Sequence, residues 1–273
     1  MLINPPLGGS VAQLLLQHPS QYRVRAVTRN PSSGAARALA AQGAEVVQAD
    51  LTVPSTLPQV FAGCWGVFAV TNFYDSNIKD DPSSEEQQGK NLVDAAVAAG
   101  TVECLLWSTL PSSKQISGGR FVNMILRSHM KYDPATDTIK FEQPIVKADT
   151  QLAMLFVEKD LSGIAVAVFD QWESKKDQLI HKYLYCSNAR ISPNDIVACV
   201  QRISGKDTTY RRLESTGWKD RDVMFQLYNE LGMYSGKRIP DENVLALGID
   251  LHGVEDFVRS RLLPHLGLAA IED

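Results

Sequence analysis

The sequence predicts an α/β fold, a doubly wound parallel sheet, and three observations carry that prediction. Residues 22–50 read as strand, loop, helix, strand, with connections so short that the two strands must pair in parallel through a right-handed crossover. The apolar runs 67–70 and 105–106 each end in polar residues, Thr71-Asn72 and Ser108-Thr109, as strands do where open α/β sheets bind ligands. Residues 85–99 place Leu92, Val93, Ala96 and Val97 at helical spacing, and Gly100 stops the run.

Composition narrows the function classes. The chain has 273 residues, 44% hydrophobic and 21% charged, with a formal net charge of −4. That length suits one large α/β domain or a domain with a smaller appendage. A mildly acidic balance with no Lys/Arg block argues against nucleic acid or an anionic membrane as partner. Cys64, Cys104, Cys186 and Cys199 are widely spaced, which suits a reducing compartment and provides no zinc signature. No basic leader or long apolar run is visible, so the expected location is cytoplasmic, nuclear or both.

The elements follow in chain order. Leu7-Gly8-Gly9-Ser10-Val11 leads into a helix beginning near Ala12, and Gly8 and Gly9 fit the last part of a phosphate-binding loop at a helix N-terminus. A plain helix-entry turn explains that pair equally well. A buried strand should come before it, but Met1-Leu2-Ile3-Asn4-Pro5-Pro6 holds two prolines that cannot donate to a central ladder. The central first strand is therefore expected to be absent or a stub. Its neighbours should close together, or recruit a segment from elsewhere or from a second copy.

Val24, Ala26 and Thr28 alternate with Arg23, Arg25 and Val27 in the next strand. Its end lies roughly 20 residues beyond the glycines, where dinucleotide-binding sheets meet the adenosine ribose. An acid there would bind the 2′-hydroxyl of NAD. Here Arg29 stands between Thr28 and Asn30, with no carboxylate, and a guanidinium fork suits the 2′-phosphate of NADP. A helix over 34–42 and a strand from Val46 to Asp50 complete the unit.

Further on, apolar runs at 140–154 and 163–169 read as strands, and 179–186 reads as a possible edge strand. Ser192-Pro193-Asn194-Asp195 opens a helix over 196–203 that Ser204-Gly205 ends. A short strand follows at 208–213, then amphipathic helices at 220–231 and 254–263. The expected division is 1–130, a Rossmann-like NADP-binding domain, and 131–273, a small α-rich substrate or partner lobe interleaved with the sheet. No metal site is expected.

Taken together, Gly8-Gly9-Ser10-Val11-Ala12, residues 22–31 and 42–50, Gly66-Val67-Phe68-Ala69-Val70-Thr71-Asn72-Phe73, residues 86–96 and Leu105-Leu106-Trp107-Ser108-Thr109-Leu110 resemble the NmrA-like family of atypical short-chain dehydrogenase relatives. The resemblance covers the first 120 residues closely. It implies NADP lying against Gly8 and Gly9, against Arg29, against Asp50 and Leu51 near the adenine, and against Thr71, Asn72 and Phe73 along the nicotinamide.

The chain departs from the family in two places. Leu2 and Pro5 stand where relatives have loop glycines, and Ser32-Ser33 stand where a relative has basic residues, so weakened NADP affinity is expected. After Ser117-Gly118-Gly119-Arg120, relatives continue into a lysine-bearing helix and a strand, whereas here a brief 121–130 segment runs straight into a turn. No Tyr-x-x-x-Lys pair occurs, so carbonyl reduction lacks its usual acid; Ser108 remains a catalytic candidate, with His129 or Lys131 as stand-in acids. The resemblance thus implies an NADP(H)-binding regulatory or redox-sensing protein with little dehydrogenase activity, acting through a protein partner or homodimer. The alternatives are an NADP-dependent reductase or isomerase of a small metabolite, and a degenerate protein acting only through protein contacts.

Overall fold

The computed structural model describes residues 7–72, 83–109 and 129–271. The 1–6 stub, Phe73, Ser117-Gly118-Gly119-Arg120 and the 121–128 segment lie outside those residues. The chain is mixed α/β and divides into two compact units, residues 1–109 with 157–182, and residues 110–156 with 183–273. Residues 157–182, placed by sequence in the C-terminal lobe, therefore belong with the first unit.

In the first unit, α1 (Leu7–Leu16) precedes β1 (Arg25–Thr28), α2 (Gly34–Ala41) and β2 (Glu45–Gln48). The βαβ reading holds: β1 and β2 pair in parallel from Arg25↔Glu45 to Thr28↔Gln48. The Ser33 hydroxyl caps α2 by accepting from the Ala36 N–H at 3.2 Å, and Gly43 turns the chain out of it at φ +101°. A short helix, α3 (Pro58–Phe61), leads to β3 (Gly66–Val70), α4 (Ser83–Ala99) and β4 (Cys104–Ser108). β3 and β4 are parallel from Gly66↔Cys104 to Val70↔Ser108.

The two pairs remain separate ladders, and no hydrogen-bonded pairing joins β1 to β3 among the described residues. The neighbours of the expected missing strand therefore do not close by pairing. Their side chains meet instead: Val27 of β1 shares one apolar cluster with Val67 and Ala69 of β3, and Leu57, Phe61 and Leu92 pack around them.

Helices cover both faces. α1 packs against α2 and against α5 (Ser162–Leu179), while α3 and α4 pack together on the side of the Leu57–Leu92 cluster. The Phe169 ring of α5 sits so close to β3 that a Cβ on Gly66 would lie 3.0 Å from it. That helix corrects the strand reading of 163–169. Ile164 to Phe169 are all buried, so no polar stripe shows the helical period, and a fully buried run reads alike as helix or strand. Length decides, because the run continues through Trp172 to Leu179 as one 18-residue helix. Residues 179–186 form no edge strand; Leu179 ends α5 and 183–188 have no regular structure.

The second unit combines helices with short strands. β5 (Met130–Asp133) pairs antiparallel with β6 (Thr138–Pro144), which pairs in parallel with β9 (Asp207–Leu213). β7 (Leu152–Met154) and β8 (Ala189–Ile191) form a second, antiparallel pair. The helix opened by Ser192-Pro193 is α6 (Pro193–Ser204), and Gly205 ends it at φ +66°. α7 (Lys219–Leu231), α8 (Glu242–Leu245) and α9 (Val254–Phe257) follow, and a wider turn (Val258–Leu262) extends α9. Ile139 and Phe141 of β6 pack with Ile196, Val200 and Ile203 of α6 and with Val258 and Leu262. Met224, Phe225 and Tyr228 of α7 make a second core with Ile145, Val146 and Leu152.

Candidate functional site

The carboxyl ends of β1, β2, β3 and β4 in the first unit carry most of the residues expected to meet a nucleotide. Beyond β1, the chain is pinned by its own polar side chains. The Asn30 N–H donates to the Thr28 hydroxyl at 3.1 Å, and the Ser32 N–H donates to the Asn30 side-chain oxygen at 3.1 Å. The Gln48 amide of β2 donates to the Arg29 carbonyl at 3.1 Å. Asx and Thr turns of this kind fix backbone that would otherwise be free. Arg29 is thus presented, exposed, from a loop whose backbone is already ordered.

Beyond β2, Asp50 organises the next turn. Its Oδ1 accepts from the N–H and the hydroxyl of Thr52, both at 2.8 Å, and its own N–H donates to the Thr56 hydroxyl at 3.1 Å. Leu51 is buried, and its carbonyl accepts from the Asn91 amide at 2.7 Å.

Beyond β3, the Thr71 hydroxyl donates to Glu85 at 2.7 Å. Asn72 is held on both sides by Gln88, which accepts from the Asn72 N–H at 3.0 Å and donates to the Asn72 carbonyl at 3.1 Å. Glu85, Gln88 and Asn91 stand at i, i+3 and i+6 on α4, so one helical face clamps the chain beyond two strands. Gln88 and Asn91 fall within the 86–96 stretch that resembles the family, yet the sequence implies no role for any of the three. Gln88 and Asn91 are buried in the structure, but their polar side chains at helical spacing carried no sign of that in the sequence.

Ser108 ends β4 opposite Val70, and its hydroxyl has no hydrogen-bond partner among the described residues. The same strand starts at Cys104, a fully buried thiol that desolvation pushes up to about 12. His129 and Lys131 lie in the second unit on the β5–β6 hairpin. There the His129 ring bonds the Glu142 carbonyl at 3.0 Å, a strand-end contact that accounts for its position.

Helix α1 (Leu7–Leu16) includes both glycines, which the sequence placed in a loop before the helix. Gly8 is buried, the Ser10 hydroxyl donates to the Leu7 carbonyl at 2.9 Å, and no acidic residue occupies the first turn. First-turn N–H groups have no partner within their own helix, and with the helix dipole they favour an anion. A Cβ placed on Gly9 would meet nothing within 4 Å. Packing among the described residues does not require glycine there. These features fit a dinucleotide, with backbone donors for a pyrophosphate and a guanidinium for a ribose phosphate.

Among the described residues, no group of His, Cys, Asp and Glu could hold a metal ion, and no helix is long and apolar enough to cross a membrane.

Residues 6–129 match the model of the NmrA-like family. An NmrA-like family domain-containing oxidoreductase of Aspergillus campestris is 39% identical over 142 residues, which is 50% of this chain and 42% of that protein. One from Cladobotryum is 44% identical over 127 residues, 46% of this chain and 36% of its own length. The chain therefore spans about two fifths of the length of these curated relatives.

Among solved structures, the negative transcriptional regulator NmrA in complex with NAD superposes with a TM-score of 0.71 at 16% identity, over 93% of this chain and 91% of that one. The Citrobacter triphenylmethane reductase complexed with NADP(H) gives 0.64 at 19% identity, over 93% and 96%. The Escherichia coli NADPH-dependent quinone oxidoreductase complexed with NADPH gives 0.62 at 20% identity, over 94% and 98%. At these identities the likeness speaks for the Rossmann-like fold.

Proposed function

We propose that this chain, whose residues 6–129 form an NmrA-like family domain, binds NADP(H) at the strand ends of its first unit and serves as a redox-responsive regulatory protein. The observation that carries this reading is Arg29, a guanidinium presented from an ordered loop at the end of β1. A bound nicotinamide dinucleotide supplies hydride chemistry. The chain's own residues bind and orient it. The first-turn N–H groups of α1 face the pyrophosphate, and Arg29 faces the 2′-phosphate. The Asp50 turn borders the adenosine, and Thr71 and Asn72, fixed by Glu85 and Gln88, border the nicotinamide side. Occupancy then alters a surface read by a protein partner or a second copy in the cytoplasm or nucleus.

A second reading, reduction of a small carbonyl compound or quinone, is favoured by the uncommitted Ser108 hydroxyl and by the oxidoreductase names of the relatives. Titration of NADPH and NADH against the wild type and Arg29→Ala tests the first. Loss of a charge-assisted phosphate contact should weaken NADPH about 10- to 100-fold and leave NADH within about twofold. Equal loss for both cofactors would remove Arg29 from the ribose phosphate. Turnover of NADPH with a panel of quinones and aldehydes, abolished in Ser108→Ala, would establish the second reading over the first.

A further inference from the structure

We propose that the second unit holds a separate site for a small oxyanion, a phosphate- or carboxylate-bearing molecule, in the cavity walled by Lys147, Arg190, Tyr228 and Lys237. The cavity measures about 490 Å³, a size that small-molecule sites commonly have, and all its walls come from the second unit. Three cations line it against one carboxylate, Asp149.

Arg190 is the best-placed of the three. It is half-buried on β8, and its guanidinium donates to the carbonyls of Met233 at 2.7 Å, Tyr234 at 2.6 Å and Lys237 at 3.3 Å. Those bonds fix the fork without neutralising it, and Nε–H is left over. A half-buried guanidinium that meets no carboxylate among the described residues is free to pair with an anion that enters the cavity. Among the described residues the Lys147 ammonium meets no carboxylate either, and that of Lys237 lies 5.4 Å from the centre of the Tyr185 ring.

Tyr228 supplies a second, independent sign. Its side chain is only 5% exposed, yet its hydroxyl bonds to nothing among the described residues. Its side chain lines the cavity. Burial raises its pKa, and it remains a protonated donor at neutral pH.

The floor is preformed. Asn229 accepts from the Lys147 N–H at 2.9 Å and from the Thr150 hydroxyl at 2.6 Å, and donates to the Ile145 carbonyl at 2.9 Å. Rigid backbone beside fixed donors lowers the ordering cost of binding.

Calorimetric titration of the full chain at constant ionic strength tests the site with phenyl phosphate, phthalate and uncharged benzyl alcohol. One equivalent of phenyl phosphate or phthalate should bind, the better of the two identifying the headgroup, while benzyl alcohol should not. Lys147→Ala with Lys237→Ala should weaken the anion about tenfold or more, and Tyr228→Phe by severalfold, with the circular dichroism of each unchanged. Arg29→Ala should have no effect, which separates this site from the nucleotide site of the first unit. Absence of saturable heat up to about 10 mM, affinity unchanged in the double lysine variant, or loss of binding in Arg29→Ala would each overturn the proposal.

Discussion

Gln88 matters for what its removal would leave behind. It is 3% exposed, and its two amide ends satisfy the N–H and the carbonyl of Asn72 together. Gln88→Leu keeps the volume and strips both partners, so two backbone groups lose their bonds. The expected cost is about 1–3 kcal/mol of stability, measured by urea denaturation, together with weaker NADPH binding. A variant that bound NADPH normally would show that the Asn72 clamp does not shape the site. Gly89, next along α4, has the opposite problem, since a Cβ there would lie 2.4 Å from the Trp107 ring. Gly89→Ala gains up to about 1 kcal/mol in helix propensity but overpacks a rigid ring, which costs about 1–3 kcal/mol. The net should be destabilising in the wild type and should change sign in a Trp107→Leu background; the same sign in both backgrounds would mean that the half-exposed indole simply swings away. The place of Arg29 just beyond β1 was legible, because the alternating run that ends there is a sequence fact. Glu85, Gln88 and Asn91 were not, because polar residues on a helix look the same whether they face water or a strand end.

Among the elements, α6 shows what a local signal can specify. Ser192 accepts from the Asp195 N–H at 3.2 Å, and the Asp195 carboxylate takes back the Ser192 N–H at 2.9 Å, a reciprocal cap with Pro193 in the first helical position. All the partners lie within four residues, so the helix start was readable. Ser192→Ala should cost about 1 kcal/mol of stability. The cap also carries a pH dependence. Bonds from the Ser192 hydroxyl and N–H hold the Asp195 carboxyl below the usual aspartate value. A lowered folded-state pKa stabilises above the unfolded value and is lost as pH falls through the folded one. The Ser192→Ala penalty should therefore shrink below the ordinary aspartate range; a penalty constant down to pH 3 would assign the cap's value to the neutral hydroxyl. For α5 the local signal failed, since its decisive contacts, Phe169 against Gly66 and Gln21 donating to Asp170 at 2.7 Å, span about a hundred residues or more.

For the molecule as a whole, the parallel crossover, the strand ends and the helices on both faces of the first unit were legible because each repeats a local pattern. The return of residues 157–182 to that unit was not, because no local pattern says which core a buried helix joins. Each unit nonetheless has its own apolar core, one around Val27, Phe61 and Leu92, the other around Phe141, Val200 and Leu262. Among the described residues the first unit holds two separate two-stranded ladders, and the second a three-stranded sheet beside the β7–β8 pair, so fewer described ladder bonds oppose unfolding of the first. Separate cores permit separate transitions, and the first unit should melt earlier. Tryptophan positions allow this to be followed, as Trp65, Trp107 and Trp172 lie in the first unit and Trp218 in the second. Emission from the wild type should change first, and a variant keeping only Trp218 should report the later transition. NADPH at about 100 times its Kd should add about 2.7 kcal/mol to the earlier transition and nothing to the later, because a ligand stabilises only the structure that binds it. Phenyl phosphate should do the reverse. If both probes moved together under both ligands, the two units would form one cooperative structure, and the assignment of one ligand to each would have to rest on affinity measurements alone.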